Sequence, residues 1–415
     1  MPVTSIERRV RVARAAVFTV FGLNGFLLAM WVVHIPVITD RTGVSHSTLG
    51  MFILVMAGAG IVGMRLAGPL ADRFGSRRLV GAAAVTASLA VLGPGFATGP
   101  VWLALALAGF GFGNGALDVS MNAQAVHVER AYRRPIMSAF HALFSCGGLV
   151  GSLVGAATLR AGWDVRVTLI AASALCLCAV AASVPRLLAD TRATAKTEPD
   201  NVAEPHPDEV AATDSARRRK VLALAMIAFA ALLTEGVAAD WSTLQMGEHL
   251  GVGAATAALA FGAFSVTMTV GRFAADRVSA RFGPVAVVRY GALFSALGLA
   301  VIMLSTWVPL SLLGWALCGL GLSGMVPQIF TAAGNLGTST AATDMARVFA
   351  IGYLGLLAGP AIIGWLTELI PLTAAFGVPM IAIALSGWKA HVVAPAQALT
   401  RTEKVTDAGV SDDVH

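Results

Sequence analysis

Apolar residues fall in twelve runs of about twenty, parted by short polar breaks. The runs occupy 15–37, 47–69, 79–97, 100–125, 136–159, 165–184, 221–246, 254–275, 284–305, 307–331, 345–367 and 371–394. A bilayer core of ~30 Å takes about 20 apolar residues per helix, so each run predicts one membrane-spanning helix. No soluble domain fits between them. One break is long, 185–220, carrying Pro199, Pro205 and Pro207 among Glu, Asp, Thr and Ala, and ending in the basic run Arg217 to Lys220. It reads as a linker. The predicted organisation is an N-terminal segment 1–14, a six-helix bundle 15–184, the linker, a second six-helix bundle 221–394 and a tail 395–415.

Charge orients the spans, because cytoplasmic loops hold the excess of Lys and Arg. Every second break is basic: Arg8 to Arg14, then Arg73, Arg77 and Arg78, then Arg130, Arg133 and Arg134, the linker, Arg277 and Arg281, and finally Lys389. Both termini and the linker are therefore expected in the cytoplasm, in a cytoplasmic or inner membrane. Of the 415 residues only 13% are charged and 57% are hydrophobic, against ~25% charged in a soluble chain. The first run is too long for a signal-peptide core and no small-residue cleavage site follows it, so it reads as span 1. Trp102, Trp163, Trp307 and Trp388 sit near span ends, as interfacial belt residues do. Cys146, Cys176, Cys178 and Cys318 lie inside apolar runs, where packing is the better reading than disulfides or metal. No cofactor, metal or nucleic-acid partner is expected.

The two halves repeat. Leu23 to Trp31 matches Leu233 to Trp241 at a shift of 210, and Gly109 and Gly111 match Gly319 and Gly321 at the same shift. Ala71-Asp72-Arg73 matches Ala275-Asp276-Arg277, and Gly147 with Gly151 matches Gly355 with Gly359. Their common order indicates a duplicated six-helix unit, the parallel repeat that places a site at the midplane between halves. Span 11 also carries Gly352, Gly355, Gly359 and Gly364, small residues that let helices approach closely, with Pro360 able to bend it.

Polar residues inside the spans are the candidates for a binding site, since an ionisable group at mid-bilayer costs at least ~2.5–3.5 kcal/mol and belongs against a cavity. Asn114, Asp118 and Asn122 share one face of span 4, with Gln124 close by. A polar stripe of that length does not face lipid. His141 lies in span 5 at a similar depth, Glu235, Asp240 and Trp241 in span 7, Asn24 and His34 in span 1, and Gln328 in span 10. On the repeat, Asp118 aligns with Gln328, Glu235 with Gly25 and Asp240 with Met30, so the scaffold does not demand the acids. A carboxyl in low dielectric favours its neutral form, which suits it to carry a proton; structural salt bridges are the competing reading. Arg65 and Arg272 lie close before Asp72 and Asp276 and are expected to snorkel or pair at a gate. The cavity would then hold several acids and almost no fixed cation, favouring a cation, amine or neutral polyol over an organic anion.

The break Gly68-Pro-Leu-Ala-Asp72-Arg73-Phe-Gly75-Ser-Arg77-Arg78 resembles the loop signature of the major facilitator superfamily, departing from it at Ser76. The resemblance implies an all-α membrane protein of twelve helices in two pseudo-symmetric bundles. It also implies that Asp72 meets the start of span 11, around Asp344 to Arg347, where exposed N–H groups favour an anion. Gly68, Asp72, Arg73, Gly75, Arg77, Asp276 and Arg277 are then conformational gate residues. Gly115 to Arg130, Arg134 to Phe144 and Ala239 to Ser242 are similar to the MosC-like branch, together with YbjJ-type inner-membrane proteins. The resemblance marks Asp118, Asn122, Gln124, His141, Asp240 and Trp241 as features of that branch without giving them roles. The expected function is secondary transport of a small polar solute, such as a sugar, inositol-like compound or amine, by proton-coupled alternating access. Efflux of drugs or metabolites is the alternative, and a non-transporting receptor a more distant one. No nucleophile elbow, phosphate loop or metal-ligand cluster suggests an enzyme.

Overall fold

The computed structural model describes residues 3–44, 46–189, 207–336 and 340–395. The linker lies outside the described residues from 190 to 206, and the tail from 396 onward. Every regular element among the described residues is a helix. The first half comprises α1 (Val3–Thr42), α2 (His46–Phe74), α3 (Ser76–Phe96), α4 (Pro100–Tyr132), α5 (Met137–Arg160) and α6 (Val165–Ser183). The second comprises α7 (Pro207–Leu250), α8 (Ala254–Phe282), α9 (Pro284–Leu304), α10 (Val308–Gly334), α11 (Ala341–Leu366) and α12 (Leu372–Trp388). Ten are long and apolar enough to cross a bilayer; α8 and α12 complete the twelve. The outward surface, with Val101, Leu304 and Trp388 exposed, is suited to lipid rather than water.

Local chemistry sets the ends. Pro100 and Pro284 stand in the first turns of α4 and α9, where a missing N–H costs nothing and φ is already helical. Gly75 and Gly283 turn the chain from α2 into α3 and from α8 into α9 at φ 92° and 82°, a conformation that favours glycine. α10 breaks at Ser323-Gly324 and resumes at Met325. The basic run Arg217 to Lys220, expected in the linker, is instead part of α7. Its side chains find partners: Arg217 pairs with Asp344, and Lys220 Nζ donates to the Ala394 carbonyl at 3.1 Å.

Packing follows one plan twice. α1 lies on α5, α2 on α4, and α3 on α4 and α6; in the second half α7 lies on α11, α8 on α10, and α9 on α10 and α12. Glycines set the tightest crossings, because in lipid close van der Waals contact replaces the hydrophobic drive. A Cβ on Gly147 would stand 1.9 Å from the Gly22 carbonyl oxygen, and one on Gly355 2.2 Å from that of Phe229. Between the halves, α2 packs on α11 and, symmetrically, α5 on α8.

These crossings correct the register of the repeat. Gly147 abuts Gly22 and Gly355 abuts Phe229, so α1 and α7 are related by 207 residues. Gly115 abuts Gly60 and Gly319 abuts Phe264, so α4 and α10 are related by 204, as Asp72 and Asp276 are. The shift of 210 is therefore wrong for both pairs, and with it the match of Asp118 to Gln328. The counterparts of Asp118, Glu235 and Asp240 are Leu322, Leu28 and Val33. With 44 glycines in the chain, a Gly-x-Gly pair is too common to fix a register. That the scaffold does not demand the acids holds more strongly, since all three counterparts are aliphatic.

Candidate functional site

At the basic end of the seam, each half caps a helix of the other. The Asp72 carboxylate, at the end of α2, accepts the N–H groups of Ala342 and Thr343 at 3.0 Å each, and the Thr343 hydroxyl at 2.6 Å. The Asp276 carboxylate, at the end of α8, accepts those of Ser138 and Ala139 at 2.9 and 2.7 Å. In both cases the donors are the second and third residues of the facing helix, whose first-turn N–H groups have no partner within the helix. Neither α5 nor α11 has a side-chain cap from its preceding residue; the opposite half supplies one, a contact worth about 0.5–2 kcal/mol when made locally. Gly68 permits the approach, since a Cβ there would stand 2.6 Å from that of Ala346.

Two further contacts close the same end. The Arg130 guanidinium, at the end of α4, donates to the Gly334 carbonyl and the Asn335 side chain at the end of α10, placing a cation at a helix C-terminus. Glu129 accepts the N–H groups of Ile136 and Met137, each at 2.8 Å, and the Thr331 hydroxyl at 2.9 Å. Of the remaining gate candidates, Arg73 lies over the Phe74 ring, Arg277 is exposed, and Arg77 donates to the Val184 carbonyl within its own half.

Deeper in the seam lies a polar network. Asp118 on α4 is buried, and Tyr353 on α11 lies beside it. Asn122 donates to the Asp118 carbonyl oxygen at 2.9 Å and to its carboxylate at 3.3 Å, and its own Oδ1 stands 3.2 Å from His141 Nε2. Across from these, Glu235 on α7 pairs with Arg272 on α8 at 3.5 Å, and Arg272 donates to Ser145 on α5 at 2.6 Å. Five helices from both halves thus meet through Asp118–Tyr353 and Glu235–Arg272–Ser145. Glu235 and Arg272 remain 25% and 15% exposed, so this level borders open space. Below it His141 lies beside Phe330, which stacks on Phe349, an aromatic layer between the network and the capped end.

Not every candidate joins. Asn24 and Asn114 bond each other at 2.8 Å across α1 and α4, inside the first half. Gln328 is buried and accepts from Ser279 at 2.9 Å, near the basic end and away from Asp118. Gln124 makes the matching contact with Ser76 in the first half, at 2.9 Å; both glutamines brace their bundles. His34 bonds its own helix at the Met30 carbonyl. Trp241 packs over Gly364 of α11, and Asp240 beside it is exposed.

Arg272 departs from the expected place at the gate. Its counterpart by register is Gly68, in the tight contact between halves, and its side chain turns along the seam to Glu235, because an unpaired buried charge is costlier than a paired one. The seam therefore contains a fixed cation, and the argument against anions from a purely acidic cavity falls. Tyr353, Ser145 and Glu129 were missed altogether. A tyrosine within a glycine-rich apolar span, one of three in the chain, was a signal; nothing distinguished Ser145 from other span serines.

Two six-helix bundles related by an internal repeat, meeting at a polar seam and capping one another's helices at one end, define a multi-pass membrane transporter. The chain belongs to the major facilitator superfamily, whose family model matches residues 15–243 and 225–410, and within it to the MosC-like branch. It is 32% identical over 381 residues to an uncharacterized MFS-type transporter of Yersinia pestis, covering 92% of this chain and 94% of that one. It is 29% identical over 353 residues to the membrane protein MosC of Rhizobium meliloti, covering 85% and 83%. Among solved structures it resembles the transporter FucP in its outward conformation, with TM-score 0.74, 13% identity and 92% and 98% coverage. It also resembles the proton:xylose symporter XylE, with TM-score 0.69, 14% identity and 92% and 96% coverage. As a transporter of this superfamily the protein is not an enzyme.

Proposed function

We propose that this protein carries a small neutral polyol, of the sugar or inositol kind, across the cytoplasmic membrane by proton-coupled alternating access. The observation that carries the reading is the Asp118–Tyr353 juxtaposition: a carboxyl that the repeat does not require, buried beside a tyrosine of the other half at the level where the halves must part. Protonation of Asp118 changes what that carboxyl offers Tyr353, linking proton occupancy to the closeness of α4 and α11. A polyol suits the remaining groups, which offer hydroxyl, amide and imidazole partners and a carboxylate already paired with a guanidinium. Capture of lipophilic cations draws less support, because Glu235 is neutralised by Arg272. The named cargoes of FucP and XylE, fucose and xylose with protons, point the same way by analogy. By the distribution of Lys and Arg the capped end faces the cytoplasm, as do both termini, and the helix caps are the latch of that gate.

The test uses purified protein in proteoliposomes with a panel of labelled sugars and inositols. Wild type is expected to exchange one of them and to accumulate it when a pH gradient is imposed. Asp118→Asn is expected to keep exchange and lose accumulation. Wild-type gradient dependence in Asp118→Asn would remove this carboxyl from coupling.

A further inference from the structure

Away from the seam, the basic end of the first bundle holds a cavity of about 330 Å³ lined by Arg8, Arg9, Arg77 and Arg186 over an apolar wall of Val12, Pro185 and Leu187. Four arginines line it from three elements, the first turns of α1, the start of α3 and the turn that follows α6; of these Arg77 also donates to the Val184 carbonyl and Arg186 to that of Ala182. Among the described residues no carboxylate lines it. Glu7, the acid beside it in sequence, pairs with Arg11 at 4.0 Å, on the side of α1 turned away from Arg9 and Val12. Like charges gathered in one concavity repel, and nothing in the transport reading uses them.

A second feature lies in line with the first along α1. An apolar groove of about 390 Å³ runs between α1, α5 and α6, lined by Phe18, Leu23 and Phe26, by Val150, and by Leu175 and Ala179 among others. On α1, Arg8, Val12, Thr19, Leu23 and Phe26 fall on one face at helical spacing, with Ala15 between them. On α6 and its extension, Leu175, Ala179, Ala182 and Arg186 do the same. Thr19 donates its hydroxyl to the Ala15 carbonyl, so the track between cavity and groove offers no free donor. The centres of the two lie about twelve residues apart along α1, roughly 18 Å at 1.5 Å per residue. That is a basic pocket at the membrane surface in line with an apolar furrow descending into the hydrocarbon.

We propose that this face binds an anionic phospholipid, its headgroup phosphate held by Arg8, Arg9, Arg77 and Arg186 and an acyl chain lying in the groove of α1, α5 and α6. Guanidinium groups are the natural partners of phosphate oxygens, and a basic pocket at the cytoplasmic side of a helix bundle is where anionic headgroups collect. The site stands independently of the transport reading, since it touches neither the seam nor the helix caps.

The test is native mass spectrometry of the full-length protein in detergent with dioleoyl-phosphatidylglycerol, dioleoyl-phosphatidylcholine or glycerol phosphate. Wild type is expected to retain phosphatidylglycerol, to retain phosphatidylcholine far less, and to hold glycerol phosphate too weakly to compete. Each of Arg8→Gln, Arg9→Gln and Arg186→Gln, exposed positions whose loss leaves the fold intact, is expected to weaken retention about five-fold, corresponding to ~1 kcal/mol per cation near an anionic lipid. Leu175→Trp, which fills the groove, is expected to weaken it with every arginine in place. The control Arg218→Gln/Arg219→Gln/Arg281→Gln removes three cations elsewhere. An equal loss in the control would reduce the effect to general surface charge and overturn the site. Full competition by glycerol phosphate would make it a pocket for free phosphate and overturn the lipid, and equal retention of phosphatidylcholine would overturn the role of the arginines.

Discussion

The capped end of the seam and the network below it are built on opposite principles. At the end, each half does to the other what is done to it: Asp72 caps α11 and Asp276 caps α5, two acids from matching positions of the repeat on matching helices. In the network nothing matches, for Asp118 and Glu235 stand where the other half carries Leu322 and Leu28. A contact that must be made and released as two bundles rock is served by symmetry, because the same motion loosens both caps together. A contact that recognises a solute gains nothing from symmetry. The difference sets symmetric contacts apart from asymmetric ones within one seam, and four tests probe it.

The largest stability effect is expected in the asymmetric part. Removing Glu235 leaves the Arg272 guanidinium in the seam with Ser145 alone, and breaking a buried pair costs up to about 3–5 kcal/mol, less here because both side chains keep some access. Glu235→Ala is expected to lower stability by roughly 2–3 kcal/mol, read as a fall in unfolding temperature in detergent. Glu235→Ala/Arg272→Met is expected to recover most of the loss. If the double variant is no more stable than the single one, the pair is not a unit.

Next comes Gly68→Val, aimed at the symmetric part. The new side chain overlaps Ala346 Cβ and the Ala342 carbonyl, and overpacking of this kind costs about 1–3 kcal/mol. The clash exists only while the capped end is closed, so the penalty falls on that state and the protein is expected to populate the other. Labelling of a cysteine placed at Ser138 reports it: reactivity is expected to rise about ten-fold or more, the ratio that ~1.4 kcal/mol produces. Unchanged labelling together with a lowered unfolding temperature would show that α2 and α11 do not part there.

The fold was legible because a bilayer imposes a length that a sequence cannot hide, and runs of about twenty apolar residues are what crossing it requires. Partners across the seam were less legible. Arg272 looked like a gate residue because sequence position gives depth along one helix but not which neighbour a long side chain can reach. Tyr353 was overlooked because its helix is otherwise fit for lipid, although a tyrosine in such a span is itself the signal. Glycine pattern misplaced the repeat by three residues in α1 and α7 and by six in α4 and α10, and packing alone restored it, through which carbonyl each glycine faces.

The two caps themselves differ, which gives the third test. Asp276 is buried, whereas Asp72 is exposed, so water replaces the lost acid more readily at α11 than at α5. Asp276→Ala is expected to open the capped end more than Asp72→Ala, with costs of about 2 and 1 kcal/mol respectively. The same cysteine-labelling assay reads both. Added salt should narrow the gap between wild type and Asp72→Ala, because exposed charge is screened, and leave Asp276→Ala nearly unchanged. Equal sensitivity to salt would mean that both acids face water when the end is closed.

Thr343→Ala tests the finest point of the comparison and carries the smallest expected effect. Asp72 receives two main-chain N–H groups and one hydroxyl, the latter at 2.6 Å, while the hydrogen bonds described for Asp276 come from main-chain N–H groups of Ser138 and Ala139. If exposure weakens the α11 cap, the extra donor compensates for it. Its removal should then cost about 0.5–1 kcal/mol, bringing a labelling change of roughly two- to five-fold. The main-chain bonds survive in Thr343→Ala because alanine continues the helix, so any larger effect would have to come from the helix start itself. Combining Thr343→Ala with Asp72→Ala separates the two. The hydroxyl has nothing to donate to once the carboxylate is gone, so the double variant is expected to label like Asp72→Ala alone. Additive effects would show that Thr343 supports the start of α11 rather than the contact between the halves.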